Sequence, residues 1–334
     1  MDNDNLNFGI RPPNWVSQDQ TFDEITDWIC KAEELGFDSV HTGEQILSKI
    51  PPYESTIYDQ QATLSAWVAE TKNIELGSLI KVLPYIHPVH VAKYFASLDI
   101  ASDGRAILGV GNGYKEKEFN TFGVPKSERG IRTEESVEII KQLWTDDHVD
   151  YSGKIFELED VSIAPKPKQD PGPAIWFGST LEEFTPGVVN LHERIGRIGD
   201  GWVPMPYSNS EREMLDPADL RRAWDIIEES AIDHGRDPKD IEIVYSHWTY
   251  VLDEEKTEED QCKSLLGNWF PGSWEEANAT YPIGTPDEVV EIVEHMASEL
   301  PRVDRFIFSP FDFNPGVPKR IAEDVRPALE DRFQ

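Results

Sequence analysis

Two kinds of residue are scarce in this 334-residue chain. There are two cysteines, Cys30 and Cys262, and neither belongs to a Cys-x-x-Cys pair or stands beside spaced histidines. That argues against a disulfide framework and a structural zinc site and suits a reducing cytoplasm. Basic residues are also few: 31 Lys and Arg face 63 Asp and Glu, a net charge of −32. Nucleic-acid binding needs a basic footprint, so that class is excluded, and attraction to an anionic membrane with it. The acidic excess runs along the whole chain, so the surface repels itself at low salt. At about 1 M salt the screening length falls to roughly 3 Å and the repulsion fades. The expectation is a halophilic protein of a high-salt, archaeal cytoplasm. No apolar run approaches the ~20 residues of a membrane span. The start, MDNDNLNFGIRPP, is polar and acidic, unlike a secretory leader. No His-Glu-x-x-His, Walker loop or EF-hand loop is present, so no metal is implied.

What the chain does have is a large apolar complement, 39% of residues with 10 Trp, 15 Phe and 10 Tyr, enough for a sizeable core. Strand-like runs alternate with helical ones. LNFGIR (6–11), FDSVHT (37–42), NIELGSLIKVL (73–83), RAILGVG (105–111), AIWFG (174–178), DGWVPM (200–205), IEIVYSHWTYVL (241–252) and VDRFIFSP (303–310) read as strands. Between them lie segments with apolar residues at helical spacing, such as FDEITDWICKAEELG (22–36), with Thr21 as N-cap and Gly36 as stop. TPDEVVEIVEHMASEL (285–300) carries the Thr-Pro-x-Glu start of a capping box. Eight such units at about 35–40 residues each predict a single-domain (β/α)₈ TIM barrel over 6–334. A β-hairpin is expected over 148–165, after helix 4, and an insertion over about 253–283, after strand 7.

The glycines of GVGNG, Gly109, Gly111 and Gly113, raise a question of cofactor. They are spaced by two, Tyr114 stands where a dinucleotide fingerprint needs its third glycine, and they follow the fourth strand rather than the first. A Rossmann site is therefore rejected. Glycines at the C-terminal end of a barrel strand either let the strand bend or admit a flat ligand to the backbone. Three at the end where barrel active sites sit favour the ligand.

Several stretches resemble the bacterial luciferase-like superfamily of flavin- and deazaflavin-dependent oxidoreductases. They are FDSVHTGEQ, the run from NIELGSLIKVLPYIHPVHVAKYF through GRAILGVGNGYKEKEFNTFGVP, the segment RTEESVEIIKQLW through AIWFGS, then IGDGWVPM and GTPDEV. The resemblance implies a TIM barrel with an isoalloxazine-type cofactor at its C-terminal mouth. It places a non-prolyl cis peptide at Leu79–Ile80 beneath the ring. Asn112 and Gly113 would border the ring and tail, and Gly178, Ser179 and Thr180 would take the phosphate with N–H groups and hydroxyls. Arg194 and Arg197 are further phosphate candidates. Glu44 and Gln45 fall where the family carries an acid followed by His. Gln45 hydrogen-bonds but transfers no proton, so His247, late in strand seven, becomes the candidate acid–base residue. His41 reads as a packed histidine and His87 as a structural residue before a helix. Trp15, Tyr53, Trp176 and Trp202 are candidates for lining an apolar pocket.

The leading expectation is an FMN-dependent monooxygenase that uses reduced FMN and O₂ on a small organic substrate, with a flavin reductase as partner. The alternative is hydride transfer with coenzyme F420, supplied by an F420-reducing partner. A flavin-binding protein without turnover and a glycoside hydrolase with paired carboxylates are weighed against both. A homodimer is a further expectation of the family.

Overall fold

The structure is a computed structural model and describes residues 6–13, 20–47, 57–181, 184–208, 213–269 and 273–333. Eight parallel strands form its centre: β1 (Asn7–Ile10), β2 (Ser39–Thr42), β3 (Glu75–Val82), β4 (Ala106–Gly111), β5 (Ala174–Ser179), β6 (Gly201–Pro204), β7 (Glu242–Val251) and β8 (Arg305–Pro310). Each pairs with its sequence neighbour. β1 meets β8 through Gly9↔Ile307, and β6 meets β7 through Glu242↔Gly201, so the sheet closes on itself. This is the (β/α)₈ TIM barrel expected from the alternation of runs.

Helices α1 (Phe22–Glu34), α2 (Gln60–Glu70), α3 (Pro88–Ala101), α4 (Arg129–Thr145), α5 (Pro186–Ile198), α6 (Pro217–Asp233), α7 (Pro286–Ala297) and α8 (Arg326–Phe333) surround the strands. Their starts follow local chemistry. Thr21 caps α1 in a reciprocal box with Glu24. The N–H of Thr285 donates to the Glu288 carboxylate at the start of α7. α5 begins at Pro186 behind Thr185. The Thr-Pro start is the same signal that marks α7.

The hairpin expected over 148–165 forms from strands Val149–Ser152 and Glu157–Val161. Its turn is held by Glu135 of α4, whose buried carboxylate accepts the N–H groups of Lys154, Ile155 and Phe156. The 253–283 region contains two short helices, Glu259–Trp269 and Trp274–Thr280.

Two apolar clusters follow from strand alternation. The larger lies between strands and helices. The smaller fills the barrel with Leu79, Ile107, Trp176, Val203, Val244 and Ile307, one from each of six strands. At the N-terminal base, Arg305 reaches across the interior to Glu75 of β3 (2.7 Å) and Glu242 of β7 (2.8 Å), beneath the Trp176 ring. His41 lies against Trp176 with ring centroids 5.4 Å apart and meets Ser39 Oγ at 2.9 Å. Burial first, and then the charges of Arg305 and Arg11, hold its imidazole well below the usual range, so it is a neutral part of the barrel floor. Among the described residues no helix is long and apolar enough to cross a membrane.

Candidate active site

At the C-terminal mouth the regular ladder of β3 breaks. Pairing of β2 with β3 stops at Thr42↔Ser78, and the register of β3 on β4 shifts between Ser78 and Lys81. The Leu79–Ile80 peptide within this bulge is cis, and both side chains pack with the inner cluster. In a regular strand two successive side chains would point to opposite faces.

The glycines of β4 accommodate this bulge. A Cβ on Gly109 would stand 2.1 Å from the Ser78 carbonyl oxygen, and one on Gly111 would stand 1.8 Å from Ile80 Cδ1. Gly178 of β5 faces the same side chain, with Ile80 Cγ2 3.1 Å from its missing Cβ. The space these residues vacate is thus taken by the chain itself. The ligand-admitting role expected of Gly109 and Gly111 is corrected to that of seating β3. The result is an apolar shelf, Ile80 laid across Gly111 and Gly178, with Ile80 and Gly178 still partly exposed. Gly113 lies beyond it at φ +71°, packed on Val82, Tyr85 and Phe119 so closely that no side chain fits.

Polar groups rim the shelf. Asn112 is half-buried, and among the described residues its Oδ1 is a buried acceptor with no donor. By alternation Ser246 and Ser309 face the same interior as Val244 and Ile307. Ser309 Oγ is likewise buried without a partner. A flat ring with polar edges fits this set: an apolar seat, an acceptor at its border and hydroxyls opposite. The donor set thus suits an isoalloxazine or deazaflavin ring, with Ile80, Gly178 and Asn112 to hold it.

Glu44 stands at the end of β2, where its carboxylate is held in a buried ion pair with Lys81 Nζ (2.5 Å) and accepts the Val82 N–H (2.7 Å). Lys81 escaped the sequence reading. The signal was available: a lone lysine in the apolar run SLIKVL has to find a buried partner. Gln45 Nε2 donates to the Leu47 carbonyl at 3.1 Å. Glu118 is buried. It accepts the Tyr85 hydroxyl at 3.3 Å, and burial and then the Glu118 charge push that phenol's ionisation up. Burial pulls the nearby Lys115 ammonium down, partly offset by Glu118.

Other candidates point elsewhere. His247 is odd-numbered on β7, whereas the inward set is Val244, Ser246 and Trp248. Its ring lies in the outer layer among Tyr207, Tyr245 and Tyr281, with centroids 5.2 to 6.0 Å away. Nδ1 meets the Trp248 carbonyl at 2.9 Å, and burial drives its pKa down to about 3. A neutral imidazole on the outer face of the strand does not reach the mouth, so the acid–base assignment of His247 is corrected to a packing role. The Ser179 hydroxyl also turns outward, to Trp202 Nε1 (2.8 Å) and His192 (3.2 Å). Of the expected phosphate hydroxyls only that of Thr180 is exposed. Arg194 and Arg197 both pair with Glu134. Trp176 lines the barrel interior and Trp202 the outer core. Trp15 and Tyr53 lie outside the described residues.

Comparison with known proteins fits this architecture. The chain is 30% identical over 288 residues to the F420-dependent glucose-6-phosphate dehydrogenase of Amycolatopsis mediterranei, covering 83% of this chain and 77% of that enzyme. It is 24% identical to the oxygenase component of the flavin-dependent trigonelline monooxygenase of Acinetobacter baylyi, covering 94% and 92%. In fold it superposes on a crystal structure of a monooxygenase from Streptomyces bottropensis with a TM-score of 0.79 at 23% identity, over 97% of this chain and all of the other. The profile of the luciferase-like monooxygenases matches residues 6–270, and the chain belongs to that family.

Proposed function

We propose that this protein is an oxidoreductase that holds a flavin-type ring on the Ile80 shelf, and that the ring is the deazaflavin of coenzyme F420. The observation that carries the reading is the shelf itself: Ile80 seated over Gly111 and Gly178, bordered by Asn112 Oδ1, which has no partner among the described residues. The choice of F420 is supported by the relative matched at 30% identity over 83% of this chain, which is F420-dependent. Bound there, the ring supplies two-electron hydride transfer to or from a small organic substrate. The protein's part is to seat the ring, to accept a hydrogen bond at Asn112 from its edge, and to keep water from the apolar side.

A second reading, oxygenation of a small molecule with reduced FMN and O₂, is favoured by the near full-length match to the trigonelline monooxygenase component. It would require a separate flavin reductase. The two readings part in one experiment, the titration of the purified protein in high salt with F420, FMN and reduced FMN, followed by fluorescence and absorbance. Binding of F420 without reduced FMN supports hydride transfer. Binding of reduced FMN with substrate-dependent oxygen uptake supports the monooxygenase. Binding of none of them removes both enzymes.

A further inference from the structure

We propose that the buried Lys81–Glu44 ion pair is the positioning device of the ring seat, a clamp that replaces the missing β2–β3 ladder and fixes how high Ile80 stands. The inference rests on the proposed flavin-type ring and goes further, to residues that do not touch it.

The ladder between β2 and β3 ends at Thr42↔Ser78, just before the bulge. Beyond that point four side-chain bonds tie the strands. Gln60, at the start of α2, donates its amide to the Thr42 carbonyl (2.9 Å) and to the Ile80 carbonyl (3.3 Å). Glu44 accepts the Val82 N–H, which a β2 carbonyl would take in a continued ladder. Glu44 Oε1 holds the Lys81 ammonium. Thus Ile80 O, the Lys81 side chain and Val82 N are each anchored to the end of β2, around the residue that forms the shelf. The side chains of Lys81 and Glu44 are 2% and 7% exposed, so water does not share the pair.

A buried pair of this kind is most sensitive to losing one partner, because the other charge is left uncompensated. Such a charge favours its neutral form. The charged and titratable neighbours are the Tyr85 phenol, reached by the Glu44 charge, with Glu118, Tyr114 and Lys115 behind it. From α2 the facing group is the neutral amide of Gln60. These neighbours are the same in every variant, so they cancel when each variant is compared with wild type.

The test measures the Kd of F420 or FMN, whichever the wild type binds, from pH 5 to 10, for wild type, Lys81→Met, Glu44→Gln and the double variant. Each value is taken as a ratio to wild type, which cancels the cofactor's own ionisation. The expected result is a Kd raised roughly tenfold to a hundredfold at pH 7.5 in each single variant, with opposite pH trends. Lys81→Met recovers as pH falls and Glu44 takes a proton. Glu44→Gln recovers as pH rises and Lys81 gives one up. The double variant stays within about tenfold of wild type with a flat ratio. A general loss of structure would not give opposite slopes. Either single variant binding with the wild-type Kd and pH profile overturns the proposal. Should a single variant not fold, Glu44→Asp keeps the charge but is one methylene too short to hold both Lys81 and Val82. A Kd raised about threefold to tenfold supports the clamp, and an unchanged Kd overturns it. Wild type that binds neither cofactor removes the ring-binding reading and the clamp with it, an outcome distinct from a wild type that binds and variants that bind equally well.

Discussion

The two ends of the barrel are built from the same eight strands and differ in what holds the strands together. At the base, Arg305 meets Glu75 and Glu242 at once and lies under Trp176. At the mouth, Asn112 Oδ1 and Ser309 Oγ are buried without partners among the described residues, and the β3 ladder gives way to a bulge held by side chains. A base that pairs its buried cation within the barrel serves stability. A mouth that leaves acceptors open and hands its backbone to glycines is arranged for something that comes from outside.

The widest gap between the two ends should appear on removing Arg305. Arg305→Met leaves Glu75 and Glu242 facing each other across the base without their shared cation. Burial already pushes the Glu242 carboxyl up, against the pull of Arg305. Loss of one partner from a buried ionic cluster costs about 3–5 kcal/mol, and the partial exposure of Glu75 puts this case near the lower figure. Urea unfolding would measure it. Cofactor affinity in the folded fraction should change less than twofold. A variant that keeps its stability but loses the cofactor would reverse the assignment of the two ends.

Acid should act on the layers around both ends. His247 has its pKa driven down to about 3, and His192 to about 4, by burial. Their unfolded value is near 6.5. Above that pH neither form binds the proton and nothing is lost. As pH falls below about 6.5 the unfolded chain takes up protons that the folded one refuses, so stability drops until the folded pKa values are reached. Each histidine contributes about 1.4 kcal/mol per pH unit over that window. His247→Phe should remove one such contribution from the slope between pH 6 and 4 and leave cofactor affinity within twofold. A large loss of affinity would return His247 to the mouth.

How far these features were legible in the sequence depends on the length scale of the signal. Apolar periodicity and the Thr-Pro starts of helices are local, and they delivered the barrel, the hairpin and most element boundaries. The parity of β7 was not legible. Its residues are buried on both faces, so Tyr245, His247 and Trp248 show no alternation from which a direction could be taken. Ser179 failed for the same reason, since a hydroxyl at a strand end belongs to the mouth or to the outer core according to parity alone. The Lys81–Glu44 pair joins residues 37 apart through a bulge that no local pattern specifies. Gly109 and Gly111 were correctly singled out, but their occupant is a segment of β3 about 30 residues earlier.

The glycines sharpen the comparison within the mouth. Gly109→Ala would drive a Cβ against the Ser78 carbonyl oxygen, part of the backbone, whereas Gly111→Ala meets the tip of the Ile80 side chain. A side-chain tip can move and a strand carbonyl cannot do so without its ladder. Overpacking costs typically about 1–3 kcal/mol, with Gly109→Ala at the upper end and Gly111→Ala at the lower in thermal unfolding. Cofactor binding should rank the other way, because displacing Ile80 deforms the seat directly. Equal losses of stability and affinity in both variants would deny the shelf a role of its own.

The finest distinction concerns two neighbouring hydroxyls at the end of β5. Ser179 is bonded in the outer core to Trp202 and His192, while Thr180 is exposed at the rim. Ser179→Ala leaves an indole N–H and an imidazole nitrogen unpaired and should cost about 1–2 kcal/mol, with affinity unchanged. Thr180→Val removes a solvated hydroxyl and should leave stability within about 0.5 kcal/mol. If the cofactor's phosphate is held at this strand end, Thr180→Val should also raise the Kd about threefold to tenfold, the worth of one hydrogen bond of about 1 kcal/mol. The paired outcome, stability lost in one variant and affinity in the other, separates the scaffold from the site across a single peptide bond. Loss of affinity in Ser179→Ala alone would put the phosphate on the outer face of the strand, where no open mouth could receive it.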